Sequence, residues 1–161
     1  MTVLPRVGLG FDVHPRGEGR PLLLGGVRFD GEPGLAGHSD ADVVCHAVGE
    51  ALLGAAGLGD LGQHFPDDDP ATEGMGGLDL LGRCVGLAAE AGFLPVSCDL
   101  TVLAERPAVS PRRDELGANL AAVLGLEPKA VSVKATRPEG LGLTGDGAAC
   151  LAVMVAVPVE P

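Results

Sequence analysis

The 161-residue sequence contains no Trp, no Tyr and only four Phe. An aromatic core is thereby excluded, and the 46% of the chain that is apolar must pack through Leu, Val and Ala. Small aliphatic side chains bury little area each, and the 26 Gly bury none. A small domain with so thin a core often gains further burial by oligomerising. Basic residues are scarce as well: 11 Lys and Arg stand against 22 Asp and Glu, for a formal net charge of −11. That balance leaves no basic footprint, so no nucleic-acid partner is expected. A phosphate ligand would meet the same negative excess, screened beyond roughly 8 Å in physiological salt. Its site would need local help from a metal, from backbone N–H groups or from a Lys.

Cys45, Cys84, Cys98 and Cys150 form no Cys-x-x-Cys pair and stand in apolar contexts. They read as buried, reduced thiols of a cytoplasmic protein. No apolar run reaches the ~20 residues of a membrane span, and residues 1–10 lack a signal-peptide pattern, so no membrane partner is expected.

What is present reads as one domain, residues 1–161, in the α/β class and of α+β type. Residues 3–13 are expected to form a strand, with Gly8 and Gly10 marking a bulge or a close backbone approach. Residues 21–29 suggest a second short strand, reached through a turn at 15–19. Val43, Val44, Ala47, Val48, Ala51, Leu52 and Ala55 follow helical spacing, with Ser39 or Asp40 as N-cap and an end near Gly57 or Gly59. Residues 60–77 are rich in Gly, Pro and Asp, without a period, and predict a long loop. A second helix is expected over 78–91 and a strand over 96–104. Ser110 and Pro111 open a third helix with a Leu116, Leu120, Val123, Leu124 stripe. Strands follow over 131–135 and 148–157, the last so continuously apolar that burial on both faces is expected. The order ββαα-β-α-ββ predicts a mixed β-sheet with helices on one face. The other face then needs a cover, for which subunit partners are the obvious candidates.

Four segments could carry chemistry. Asp12 and His14 lie two apart on a strand and so share a face, where alone they read either as a chance surface pair or as two ligands of one metal. In the run from His38 to His46, a capping role accounts well for Ser39 or Asp40 but poorly for His46 inside an apolar stretch. Asp12, His14 and His46 together make a three-ligand set with a fourth position open, the pattern of catalytic rather than structural zinc. Asp60-Leu61-Gly62 and Phe65-Pro66-Asp67-Asp68-Asp69-Pro70 read either as a solvated acidic loop or as a lid that grips hydroxyl groups. The segment from Lys134 to Gly145 ends a strand in a Gly-rich turn, which is either an ordinary turn or one whose N–H groups meet phosphate, where Glu139 could be an oxygen ligand for a hard cation.

Taken in order, Gly10-Phe11-Asp12-Val13-His14, Gly37-His38-Ser39-Asp40-Ala41-Asp42-Val43, His46-Ala47, Leu58 to Gly62, Phe65 to Pro70, and Lys134-Ala135-Thr136 with Glu139, Leu141-Gly142 and Thr144-Gly145 resemble the 2-C-methyl-D-erythritol 2,4-cyclodiphosphate synthase family across nearly the whole chain. The resemblance implies a homotrimer that packs its sheets around a threefold axis, with active sites between neighbouring subunits. It implies one zinc per chain on Asp12, His14 and His46, and His38 beside the reacting phosphates. Ser39 would bind the substrate, and methylerythritol would sit against Asp60, Leu61, Gly62, Phe65, Pro66, Asp67, Asp68 and Asp69. The cytidine diphosphate end would meet Ala104, Pro107, Ala108, Val109, Ser110, Ala135, Thr136 and Leu143, with Glu139 holding magnesium or manganese. The chain departs from the family pattern at Arg137-Pro138, Ala108, Leu143 and Asp146. Arg137 takes the position of a family Thr and with it that residue's catalytic place. The implied reaction forms a cyclic diphosphate and CMP, in non-mevalonate isoprenoid precursor synthesis. Two alternatives are a zinc-dependent phosphoesterase, disfavoured by the lack of a second cluster of transition-metal ligands, and a non-catalytic trimeric binding protein with a structural metal.

Overall fold

The computed structural model describes residues 4–159; Val3, with which the first strand was expected to begin, lies outside them. Ten main elements follow in order: β1 (Arg6–His14), β2 (Arg16–Leu24), β3 (Val27–Leu35), α1 (Val43–Ala56), α2 (Leu61–His64), α3 (Gly77–Glu90), β4 (Phe93–Ala104), α4 (Arg113–Leu124), β5 (Val131–Thr136) and β6 (Ala148–Pro158). One sheet runs β1-β6-β4-β5, and β2 with β3 forms a separate hairpin. β6 is antiparallel to β1 and β4, while β4 and β5 run parallel, so the sheet is mixed as expected. The fold is α+β.

Helices cover one face of the sheet. Strand β1 presents Gly8 and Gly10 to α1, and the fit explains why those positions carry no side chain. A Cβ on Gly8 would lie 1.8 Å from the Ala51 carbonyl oxygen, and one on Gly10 2.0 Å from that of Ala47. Both obstacles are backbone, which no rotamer change can move. The core beneath is aliphatic, with Leu52, Leu53, Leu81, Leu100, Leu116, Leu120 and Met154 among its fully buried members.

The opposite face is bare. Register places Val7 opposite Val155, Leu9 opposite Val153 and Phe11 opposite Leu151. On this face Val7 is 67% exposed, Leu9 64% and Phe11 55%. Across the sheet the face turns polar, through Thr101 and Ser132 to an Asp99–Lys134 ion pair. Contiguous apolar surface of this kind marks an interaction site.

Several expectations need correction. The segment at 15–19 is not a turn but the start of β2. The reversal lies at Gly25-Gly26, both at positive φ (58° and 71°), as a two-residue hairpin turn requires. One strand expected over 21–29 is therefore two, giving three strands before α1. The N-cap of α1 is Asp42, not Ser39 or Asp40: its carboxylate accepts from Val44 and Cys45 N–H. The helix does end at Gly57, in the left-handed conformation. The loop over 60–77 contains α2 and a 3-10 turn at Pro70–Thr72. Ser110 and Pro111 open a 3-10 turn, Ser110–Arg112, and the Ser110 side chain caps nothing. Within the single chain strand β6 is buried on one face only. Its residues alternate, with Cys150, Ala152, Met154 and Ala156 buried and Leu151 41% exposed. All four Cys are buried and free, and burial pushes the Cys84 and Cys98 thiols up to about 12, which makes them core residues rather than nucleophiles.

Candidate metal centre and its cleft

Strand β1 delivers Asp12 and His14 to one face at its C-terminal end, and α1 delivers His46 from its first turn. The close β1–α1 contact brings them together. Asp12 Oδ2 lies 2.8 Å from His14 Nε2 and 3.0 Å from His46 Nδ1, and the two ring nitrogens are 3.2 Å apart. These three atoms form the one compact group of potential metal ligands among the described residues. Three ligands of a tetrahedral zinc at about 2.0–2.1 Å would stand roughly 3.3 Å from one another. The observed triangle fits a metal after an opening of a few tenths of an ångström, and one carboxylate with two imidazoles suits zinc's preference for nitrogen and oxygen donors.

The electrostatics agree with the geometry. Burial would raise the Asp12 carboxyl, but hydrogen bonds with His14 and His46 outweigh it and hold the group well below the usual carboxylate range. The same hydrogen bond raises His14 above its ordinary 6.5, against the opposing effect of burial. In the metal-free protein His14 therefore keeps a proton to a higher pH than a free imidazole does. A metal must displace that proton, so zinc affinity should start to fall on acidification at a pH above 6.5. Calorimetry at pH 7 in two buffers of different ionisation enthalpy should count released protons; a heat independent of the buffer would contradict this.

The triad opens into a cleft of about 310 Å³ lined by His38, Ser39, Leu61, Gly62, Phe65 and Asp67 as well. Six residues expected at the site thus join the three expected metal ligands. Four lining residues were not foreseen: Phe11, Glu50, Thr72 and Leu80. Glu50 has a clear role, accepting the Leu61 N–H at 2.8 Å and so fixing the start of α2 against α1. Its signal was available, as a carboxylate four residues after His46 within an apolar helix. Thr72 Oγ1 stands 3.4 Å from His38 Nδ1.

Other expected residues are not brought to this cleft. Asp60 caps α2, accepting from Gln63 N–H at 3.0 Å, and Asp69 caps the following 3-10 turn through Ala71 N–H. Pro66 and Asp68 do not line it. Ala104, Pro107, Ala108, Val109, Ser110, Ala135, Thr136 and Arg137 line a second cleft of about 360 Å³. The two clefts share no residue. Glu139 and Leu143 line neither; Glu139 sits at φ 55° in an exposed loop, and Leu143 is exposed. Lys134 pairs with Asp99 on the outer face.

Comparison with known proteins finds relatives over nearly the whole chain. The YgbB family model covers residues 5–158. A 2-C-methyl-D-erythritol 2,4-cyclodiphosphate synthase of Symbiobacterium thermophilum is 55% identical over 91% of this chain and 95% of its own length. Among solved structures, the bifunctional IspDF of Campylobacter jejuni superposes with a TM-score of 0.93 at 37% identity, over 99% of this chain. This chain spans 44% of that longer protein. A structure of 2C-methyl-D-erythritol-2,4-cyclodiphosphate synthase in a CDP-bound form superposes at 0.86 with 33% identity, over 94% of this chain and 99% of the other. The metal-ligand cluster, the cleft and these matches lead to one conclusion: the chain belongs to the YgbB family.

Proposed function

We propose that the chain converts 4-diphosphocytidyl-2-C-methyl-D-erythritol 2-phosphate to 2-C-methyl-D-erythritol 2,4-cyclodiphosphate and CMP. The observation that carries this reading is the Asp12, His14, His46 cluster at the head of a cleft, in a chain 55% identical to a protein named for the product. An oxygen of the 2-phosphate attacks the β-phosphorus. The bond from that phosphorus to the bridging oxygen breaks, and CMP leaves with the oxygen. Nucleophile and electrophile share one molecule, so the protein's task is orientation and relief of charge repulsion.

Asp12, His14 and His46 would hold one zinc per chain, and Glu139 a magnesium or manganese ion on the diphosphate. These cations would supply positive charge to phosphate oxygens that otherwise repel one another. His38, in the cleft beside the triad, donates to a phosphate oxygen. The lid from Phe65 to Asp69, with Asp60 to Gly62, surrounds the methylerythritol hydroxyls. Arg137 is the charged residue of the second cleft and offers five donors to the nucleotide phosphate.

The working unit is a homotrimer. Two observations favour it: the apolar outer face of β1 and β6, and the separation of the two clefts within one chain. A substrate with a cytidine at one end and a phosphorylated polyol at the other needs both clefts, and a site between subunits joins them. The enzyme works in the cytoplasm as a single domain per chain; no helix among the described residues is long and apolar enough to cross a membrane.

The test is direct. Purified protein with the cytidine substrate should release CMP and the cyclic diphosphate without taking up water. A chelator should abolish this and zinc restore it. A hydrolysed ester as the product would replace cyclisation with phosphoesterase chemistry.

A further inference from the structure

Ser39 is 6% exposed, and its Oγ lies 2.8 Å from His46 Nε2 in a buried contact. The Ala41 N–H donates to the same oxygen at 3.2 Å. Ala41 itself is left-handed, at φ 57°, a conformation a residue with a Cβ adopts only when its surroundings impose it. The backbone carrying Ser39 is pinned from behind. Arg20 Nη2 donates to the Ser39 carbonyl at 2.9 Å, while its Nη1 reaches the carbonyls of Gly37 at 2.9 Å and Leu35 at 3.2 Å. One guanidinium thus clamps three alternate residues leading to the hydroxyl.

His46 has two ring nitrogens with different tasks. Nδ1 faces Asp12 and His14, and Nε2 faces Ser39. A neutral imidazole that offers its Nδ1 lone pair to a metal must carry its hydrogen on Nε2, and a buried N–H needs an acceptor. We infer that Ser39 is a positioning residue that accepts the His46 Nε2–H, fixes that tautomer and so aims Nδ1 at the metal. This rests on the zinc reading above. A consequence for the substrate follows from counting. A hydroxyl has two lone pairs and one hydrogen. His46 and Ala41 occupy the lone pairs, which leaves only the hydrogen for the cleft that Ser39 lines. Ser39 can then donate to a phosphate oxygen but has nothing with which to accept from a sugar hydroxyl.

The experiment compares wild type, Ser39→Ala and Ser39→Thr, each freed of metal and titrated with zinc against a chromophoric chelator. Side-chain nitrogen NMR of the zinc-loaded wild type is recorded in parallel. The expected result is a hydrogen on His46 Nε2 and a zinc affinity about 10–100-fold weaker in Ser39→Ala, the usual loss when a ligand's outer partner is removed. Ser39→Thr, which keeps the hydroxyl, should recover most of that affinity. A purely substrate-binding Ser39 would raise KM and leave zinc affinity untouched. Zinc affinity in Ser39→Ala within twofold of wild type, or a His46 hydrogen on Nδ1 in the zinc-loaded wild type, overturns the inference alone. The wild-type spectrum decides even if the variants do not fold. A wild type that takes up no zinc overturns the metal reading and this inference with it.

Discussion

Asp42→Ala should lose about 3–5 kcal/mol of stability, a large share of the 5–15 kcal/mol typical of a domain. The Asp42 side chain is fully buried and accepts four backbone N–H groups. Oδ1 takes Gly25 at 2.9 Å, Val44 at 3.1 Å and Cys45 at 3.1 Å, and Oδ2 takes Gly26 at 2.7 Å. Alanine would remove the cap of α1 and leave both N–H groups of the hairpin turn, the buried one of Gly25 and the part-buried one of Gly26, without their acceptor. Losing a cap costs about 1 kcal/mol, and each buried donor left alone roughly 1–3 kcal/mol. At about 2–4 °C per kcal/mol for a chain of this size, the melting temperature should drop by roughly 6–20 °C. Asp42→Asn should fall between the two, because one oxygen can keep the three bonds now made to Oδ1 while the amide nitrogen faces the Gly26 N–H. Thermal unfolding followed by circular dichroism reads both variants. An Asp42→Ala protein that melts within 3 °C of wild type, by the same conversion under about 1.5 kcal/mol, would refute the hub role.

Leu9→Glu should break the assembly without harming the single chain. Leu9 is 64% exposed in the isolated chain, at the centre of the apolar strip formed with Val7, Phe11 and Val153. A carboxylate there faces water in a monomer, where a surface change is worth about 0.5 kcal/mol or less. Inside an assembly the same carboxylate is buried without a partner, at several kcal/mol per copy. Three copies around one axis would also repel one another. Sedimentation at micromolar concentration should give a trimer for wild type and a monomer for Leu9→Glu, and CMP release should fall by at least about 10²-fold if the clefts of two subunits form one site. A Leu9→Glu protein that still sediments as a trimer would remove β1 from the interface. A monomeric wild type would remove the trimer itself.

The metal set was legible in the sequence because its parts are local. Asp12 and His14 share a strand face by parity alone, and His46 stands out as a polar residue in an apolar helical run. Their meeting depends on Gly8 and Gly10, which as strand glycines pointed to either a bulge or a close backbone approach, and only the contact with α1 decides for the second. The cap was misassigned because Ser39, Asp40 and Asp42 are all good capping residues, and only the hairpin turn arriving from Gly25-Gly26 selects the last. Asp40 has a different use, accepting from Asp42 and Gly77 N–H and so tying the starts of α1 and α3 together. The hairpin was misread although Gly-Gly between apolar runs is a turn signal, because the apolar pattern continued on both sides of it. Strand β6 was expected to be buried twice over because its composition is uniform. Composition does not distinguish a face covered by the chain's own helices from one left for another molecule. The cleft residues Phe11, Thr72 and Leu80 gave no local signal, since an apolar or hydroxyl side chain beside a site resembles one beside a core.

The contact at Gly8 and Gly10 has a consequence for how metal and fold are coupled. Two ligands ride on the strand and the third on the helix, and the spacing between their carriers is the thickness of two backbones in touch. Where side chains separate a strand from a helix, the gap can widen by degrees as those side chains repack. Here no such cushion exists, so substitutions elsewhere in the core should leave the bite of the site unchanged. The layers can only stay in register or part, and parting removes His46 from Asp12 and His14 together. On the zinc reading, opening of this layer would therefore release the ion, and an ion held by all three side chains would in turn tie strand to helix.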